Sequence, residues 1–408
     1  MSSRWLVRPA HVRERAGELP GGFRAAGVAA GVKASGAADV GLLVCDAADA
    51  VSAARFTRSG MLAAPVLVCK HEARLDALRA VAVNAGNANA ATGAPGLADA
   101  RAMQRAAAEL AGVEAAQVAV ASTGVIGVAL PIERVLAGLR DASGALASDG
   151  AADFSAAIRT TDKYAKEIAV DVELPAGRVR LTAQAKGAGM ISPAFATMLC
   201  FVQTDAALAP ETADLLLGVC VKRSFDRISV DGQLSTNDTA ILIASGAAGV
   251  RVAPQSEDEL RLGEALDWAL RTLALAIVRD GEGAARVARL VVRGADERVA
   301  AQAARAVANS PLVKAALHGG DPNWGRIAQA VGGALYDAPL APDIWIEGVQ
   351  VCAAGAAVAH DAAALARAVA GDEVEYVVAL GDAAAAEAEV FFSDLSHEYV
   401  TINADYTT

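Results

Sequence analysis

Aromatic side chains are scarce, at 4% of the 408 residues. A core built on large rings is therefore excluded, and close helix–helix and helix–sheet contacts over small side chains are expected instead. Cysteine is sparse too. Cys45, Cys69, Cys200, Cys220 and Cys352 are odd in number, scattered, and form no C-x-x-C pair. That pattern argues against a disulfide framework and for free thiols in a reducing compartment. His11, His71, His318, His360 and His397 show no H-x-x-x-H spacing, so no metal site is expected. No run of five Lys or Arg occurs and the net charge is -11, which excludes the basic footprint of a nucleic-acid-binding protein. The opening "MSSRWLVRPAHVRERAG" lacks the continuous apolar stretch of a signal peptide. A charge-free stretch at 187–204 is broken by Pro193, Ser192, Gln203 and two glycines, and reads as loop plus strand, not as a membrane helix. The expectation is a cytoplasmic protein without nucleic-acid or membrane partners.

What is present points to a large globular core. Hydrophobic residues make up 54% and charged residues 20%, and the length suits about two or three domains. Short apolar runs alternate with alanine-rich stretches, which places the chain in the α/β class. "DVGLLVCD", "APVLVCK", "AVAVNAG", "QVAVAST" and "RVRLTAQAKG" read as strands, and 97–111 and 131–140 as helices. "ASGALASDGAAD" at 142–153 reads as a loop or ragged helix end. "CFVQTDA" reads as a further strand and "DTAILIASG" as a strand or the start of a buried helix, flanking a helix near 211–223. A helix at 256–279 repeats Leu262, Leu266, Leu270, Leu273 and Ile277 on one face. Near residue 289 a second series of alternating strands and helices begins, so residues 1–288 and 289–408 are expected to be two domains.

Several stretches carry chemistry, each with an ordinary alternative. "ASTGVIG" (121–127) is a strand-to-turn corner whose Thr123 hydroxyl and backbone N–H groups could meet an oxyanion, or simply a glycine turn. The Asn84, Asn87 and Asn89 cluster suits a self-bonded loop before a polar pocket. "VRDGEGAAR" follows a helix instead of a strand and holds only half of G-x-G-x-x-G, so dinucleotide binding is rejected. What remains there is Glu282 between two glycines, a carboxylate able to hold a cation. "STNDT" (235–239) is a hydroxyl- and amide-rich turn, and "HGGDPNWGR" (318–326) suits a subunit contact or a loop around a site. The C-terminal "VTINADYTT" follows a strand-like "YVTIN" and is specific enough to be tied down near something. Thr197 is the lone hydroxyl in "PAFATMLCF", eleven residues after Lys186.

Seven motifs in one order, "STGVIG", "TTD" (160–162), "KGAGMISPAFATML", "SVDGQLSTNDT", "DGEGA", "DPNWGRI" and "INADYTT", cover the chain to its terminus. On them it resembles the ornithine acetyltransferases, or bifunctional glutamate N-acetyltransferases, which are self-processing N-terminal-threonine acyltransferases of the arginine pathway. The resemblance implies a layered α/β/β/α catalytic domain of the N-terminal-nucleophile kind, with a smaller C-terminal α/β domain whose last residues return to the site. It implies self-cleavage between Ala196 and Thr197, and Thr197 as nucleophile. Thr123 and Gly124 match the oxyanion hole, and Thr161, Lys186, Thr197, Glu282, Asn403 and Thr408 match substrate-contacting positions. N2-acetyl-L-ornithine and L-glutamate are the implied substrates, acetyl-CoA use stays open, no cofactor is implied, and the assembly is a heterotetramer of two alpha and two beta chains. The alternatives are a self-processing amidohydrolase or aminopeptidase, and a pseudoenzyme that binds ornithine. Ala194, Phe195, Gln233 and Leu234 depart from the family pattern without touching the nucleophile.

Overall fold

A computed structural model describes residues 3–192, 198–336, 339–381 and 386–405. The first part of the chain builds two sheets. One has four strands in the order Phe23–Val28, Val40–Cys45, Ala80–Asn87, Val118–Val125. The other has six, in the order Val12–Glu14, Lys166–Leu174, Gly177–Lys186, Leu199–Thr204, Thr239–Ala244, Val51–Phe56. Strand alternation explains how they stack. Leu199, Phe201, Ile241 and Ile243 point into a core shared with the four-stranded sheet, where Phe154 and Phe201 meet edge to face at 5.4 Å. Met198, Cys200, Val202, Ala240 and Leu242 point the other way, onto the helices Pro210–Arg223 and Glu257–Arg279. Helices Gly93–Ala111 and Ile132–Gly144 complete the shared core on the side of the four-stranded sheet. The result is the α/β/β/α layering that the resemblance implies.

A seven-stranded sheet, with Val287–Ala295 between Ala386–Ser393 and Glu373–Ala379, carries the C-terminal core with helices Glu297–Ala308, Pro311–Gly319 and Trp324–Ala334. Side-chain caps from Asp296, Ser310 and Asn323 start those helices. This sheet is not isolated from the rest. The strand Ile228–Ser229 joins its edge in parallel with Phe391 and Phe392, and Trp5 packs on Phe391 at 5.7 Å.

Two local expectations are corrected, and that of a loop or ragged helix end at 142–153 is refined. "APVLVCK" is not a strand but the helix Ala64–Glu72: Pro65 fits its first turn, and its apolar residues are buried beside Val120. Within 142–153 the first helix runs on to Gly144 and a second, Ala151–Ile158, begins, because Phe154 and Ile158 have an apolar face to fill. "YVTIN" lies in the helix His397–Asp405. Ser396 accepts the Tyr399 N–H at 3.2 Å as an N-cap, and no residue of this helix is buried, so its β-branched side chains had no sheet face to join. All five cysteines are free and buried. Among the described residues, no helix is long and apolar enough to cross a membrane, and no cluster of three or more His, Cys, Asp or Glu could hold a metal.

Candidate active site

Four chain segments converge on one cavity. The strand Val118–Val125 brings in Thr123 and Gly124 at its end. The backbone of Gly124 has φ +132°, and a Cβ there would stand 2.3 Å from the carbonyl carbon of Gly86. Neither conformation nor space admits a side chain. Gly124→Ala is accordingly expected to lose about 2–4 kcal/mol of stability, read as a lowered denaturation midpoint; an unchanged midpoint would contradict this account of the corner.

Lys186 ends the strand Gly177–Lys186, and its antiparallel register sets it opposite Leu199. One residue earlier, the Met198 N–H donates to Asp238 Oδ1 at 3.0 Å, and the Met198 carbonyl accepts the Thr239 N–H at 3.1 Å. The chain is thus fixed from Met198 onward, one peptide bond from Thr197. Ala196, Thr197 and Thr408 themselves lie outside the described residues.

Lys186 is 3% exposed. Its Nζ donates to Thr160 Oγ1 at 2.8 Å and Thr123 Oγ1 at 3.3 Å, and stands 4.0 Å from Asp162 Oδ2. An ammonium only donates, so Thr123 accepts here and keeps its own O–H proton for another acceptor. Burial lowers the Lys186 pKa, and the Asp162 charge opposes that fall. Asp162 is held at about 2: burial pushes its carboxyl up, and Lys186 and Lys166 together outweigh it. Burial lifts Asp238 well above the usual carboxylate range.

Glu282 faces the same space from the loop after helix Glu257–Arg279. Gly189 makes room for it, since a Cβ at that position would lie 2.6 Å from the Glu282 carboxyl carbon. Asn403, on the C-terminal helix, donates to Glu282 Oε2 at 2.9 Å. One cavity of about 240 Å³ is lined by Thr123, Gly124, Thr161, Lys186, Glu282 and Asn403 together. Every described residue of the expected site is therefore in one place, with an ammonium at one wall and a carboxylate at another.

The cavity also takes Thr160, Met190, Asp231, Gln233, Ser235, Thr236, Asn237 and Tyr399, none of which sequence reasoning had put in a site. The signal for 231–237 is the "SVDGQLSTNDT" motif, which carries the family resemblance but in which "STNDT" by itself reads as a turn. The asparagine cluster is structural: Asn84 donates to the Asn87 carbonyl, Asn87 to those of Val128 and Ala129, and Asn89 to that of Gly96. His318 and Arg326 stay outside the cavity, bonded to Asp394 and the Leu312 carbonyl.

A model of the ArgJ family matches residues 24–408. The arginine biosynthesis bifunctional protein ArgJ of Symbiobacterium thermophilum is 44% identical over 95% of this chain and 98% of its own. That of Rhodopirellula baltica is 43% identical over 96% of each. Among solved structures, an ornithine acetyltransferase complexed with ornithine from Mycobacterium tuberculosis is 39% identical, covering 45% of this chain and 98% of that one, with a TM-score of 0.42.

Proposed function

The chain belongs to the ArgJ family and is an acetyltransferase of arginine biosynthesis; we propose that it carries the acetyl group of N2-acetyl-L-ornithine to L-glutamate on Thr197. The products are L-ornithine and N-acetyl-L-glutamate. The observation that supports this most is the gathering of Thr123, Gly124, Thr161, Lys186, Glu282 and Asn403 around one cavity, with Lys186 paired to Leu199, two residues after Thr197.

Processing comes first in this reading. The Thr197 hydroxyl attacks the Ala196 carbonyl carbon, the Ala196–Thr197 C–N bond breaks, and the hydroxyl proton passes to the freed nitrogen. Water then hydrolyses the ester, leaving an Ala196 carboxylate and a new N-terminal threonine. Its α-amine, with a reference pKa of about 7.7–8.0, is the base for its own hydroxyl. In the transfer cycle that hydroxyl gives its proton to the α-amine and attacks the acetyl carbonyl. The oxyanion is met by the Thr123 O–H and the Gly124 N–H, and its collapse breaks the acetyl C–N bond as the ornithine amine takes the proton and leaves. Lys186 takes the substrate carboxylate and Glu282 the ornithine side-chain ammonium. Thr161, Asn403 and Thr408 complete the contacts. Glutamate then attacks the acetyl ester and regenerates the hydroxyl. We further read residues 1–288 as the catalytic domain and 289–408 as the smaller one, the two chains as assembling into an α2β2 heterotetramer, and the enzyme as cytoplasmic.

The test runs acetyl-ornithine and acetyl-CoA as donors in parallel, with and without glutamate. Ornithine release that requires glutamate and yields N-acetylglutamate is the expected result, and product from acetyl-CoA would add the second activity. Free acetate released without glutamate would replace the transferase with an amidohydrolase, and ornithine binding without turnover would replace it with a pseudoenzyme.

A further inference from the structure

Three fully buried charges stand behind the cavity with no part in the cycle just described. Lys166 Nζ is 2.7 Å from Asp162 Oδ1 and 2.5 Å from Asp280 Oδ2, and all three side chains have no exposed surface. Asp162 Oδ1 also accepts the Gly187 N–H at 2.7 Å, and Oδ2 accepts the Thr160 N–H at 3.1 Å. Asp280 accepts the Lys163 N–H at 3.0 Å, and directly precedes the Gly281–Glu282–Gly283 turn in sequence. A buried chain of charges thus runs from Lys186 through Asp162 and Lys166 to the loop that carries Glu282.

We propose that Asp162 is a positioning residue that keeps Lys186 charged and aimed into the cavity, and so lets it bind the substrate carboxylate. This rests on the reading of Lys186 as the carboxylate site. A buried ammonium is stable only beside a counter-charge. The charged and titratable groups around Lys186 are Asp162, Lys166, Glu282, Asp238 and Lys33. Of the acidic ones Asp162 has the largest favourable effect on Lys186, and Asp238 is held towards its neutral form by burial. Around Asp162 itself stand Lys186, Lys166, Lys33, Asp280 and Tyr164. Removing the Asp162 charge leaves Lys186 facing the like charges of Lys166 and Lys33 with its main counter-ion gone. Lys186 is then held less firmly in its charged form.

The experiment measures kcat/KM for acetyl-ornithine from pH 6 to 9 with wild type, Asp162→Asn, Lys166→Met and Lys186→Met, after a gel confirms processing. Asparagine keeps the shape of Asp162 and one acceptor oxygen for the Gly187 N–H, but sets an NH2 group, which cannot accept, against the Thr160 N–H as it removes the charge. The ratio of Asp162→Asn to wild type should fall about tenfold per pH unit above the new Lys186 pKa, recover towards acid pH, and do so through KM. Lys166→Met removes a like charge from Lys186, so its KM should be no higher than that of wild type. A uniform, pH-independent loss in Asp162→Asn would overturn the proposal, as would a Lys166→Met KM raised as far as that of Asp162→Asn. If Asp162→Asn does not fold, Lys166→Met is judged against wild type: a KM at or below the wild-type value supports the proposal, and a raised KM overturns it. Lys186→Met separates the two readings: a normal KM there removes Lys186 from the carboxylate site and the proposal with it, whereas a KM raised at every pH, beside a loss in Asp162→Asn that recovers towards acid pH, supports both.

Discussion

Thr197→Ala is expected to run as one uncut chain of 41.2 kDa and to transfer no acetyl group. Thr197 carries the one hydroxyl between Ser192 and Gln203, and an acyl shift needs a nucleophile attached to the residue whose nitrogen leaves. The neighbouring thiol cannot stand in. Cys200 is buried on the face turned towards helix Glu257–Arg279, and burial raises its pKa far out of the thiolate range. Without cleavage there is no α-amine to act as base, so the substitution removes nucleophile and base together. Losses of groups that act as a unit do not add, and the expected fall in kcat is on the order of 10⁴-fold or more. Thr197→Ser retains the hydroxyl and should still be cut, more slowly, because serine lacks the β-methyl that restricts χ1. The measurements are a denaturing gel, N-terminal sequencing of the smaller fragment, and the transfer assay. A Thr197→Ala chain that still divides at this bond would remove the self-processing reading altogether.

Much of the architecture was legible because it is local. The strands 40–45, 80–87, 118–125, 177–186 and 199–204 are runs of small and β-branched residues closed by turns, and the Leu262 to Ile277 stripe gives the long helix. The errors fell where a short apolar run fits either period. "APVLVCK" is such a run, and Pro65 and the space beside Val120 favour the helix. In the site, Lys186 and Glu282 were legible from motifs, as a lone cation and a lone carboxylate beside glycines. Asp231 and Tyr399 were not, because what brings them to the cavity is the pairing of Ile228–Ser229 with the last strand and the docking of the C-terminal helix. Asp162 stands midway. "TTD" is visible in the sequence, but its contact with Lys166 and Lys186 depends on sheet register, and Asp280 is 118 residues further along.

Ending the chain after Ile402 should leave a folded, self-cleaved protein with little activity. The helix His397–Asp405 has no buried residue, and Asn403, Ala404 and Asp405 are exposed. Asn403, Ala404 and Asp405 thus hold little apolar surface in the core, and full burial of Tyr406 would bring the stability loss to about 2–3 kcal/mol at most. Cleavage depends on the segment that ends at Met198, whose N–H and carbonyl are held by Asp238 and Thr239, far in sequence from the deletion. The site loses more. Asn403 Nδ2 bridges Glu282 Oε2 at 2.9 Å and the Tyr399 carbonyl at 3.0 Å, and this bridge ties the carboxylate to the C-terminal helix. Without it Glu282 keeps its charge but loses a fixed direction, and kcat/KM for acetyl-ornithine should drop about 10²-fold. Asn403→Ala should reproduce part of that drop while the rest of the helix stays. The comparison needs thermal unfolding, a gel, and steady-state kinetics with acetyl-ornithine and glutamate. Full activity from the cleaved, folded truncation would show that the terminal helix only covers the cavity, and Asn403 and Thr408 would then leave the substrate-binding set.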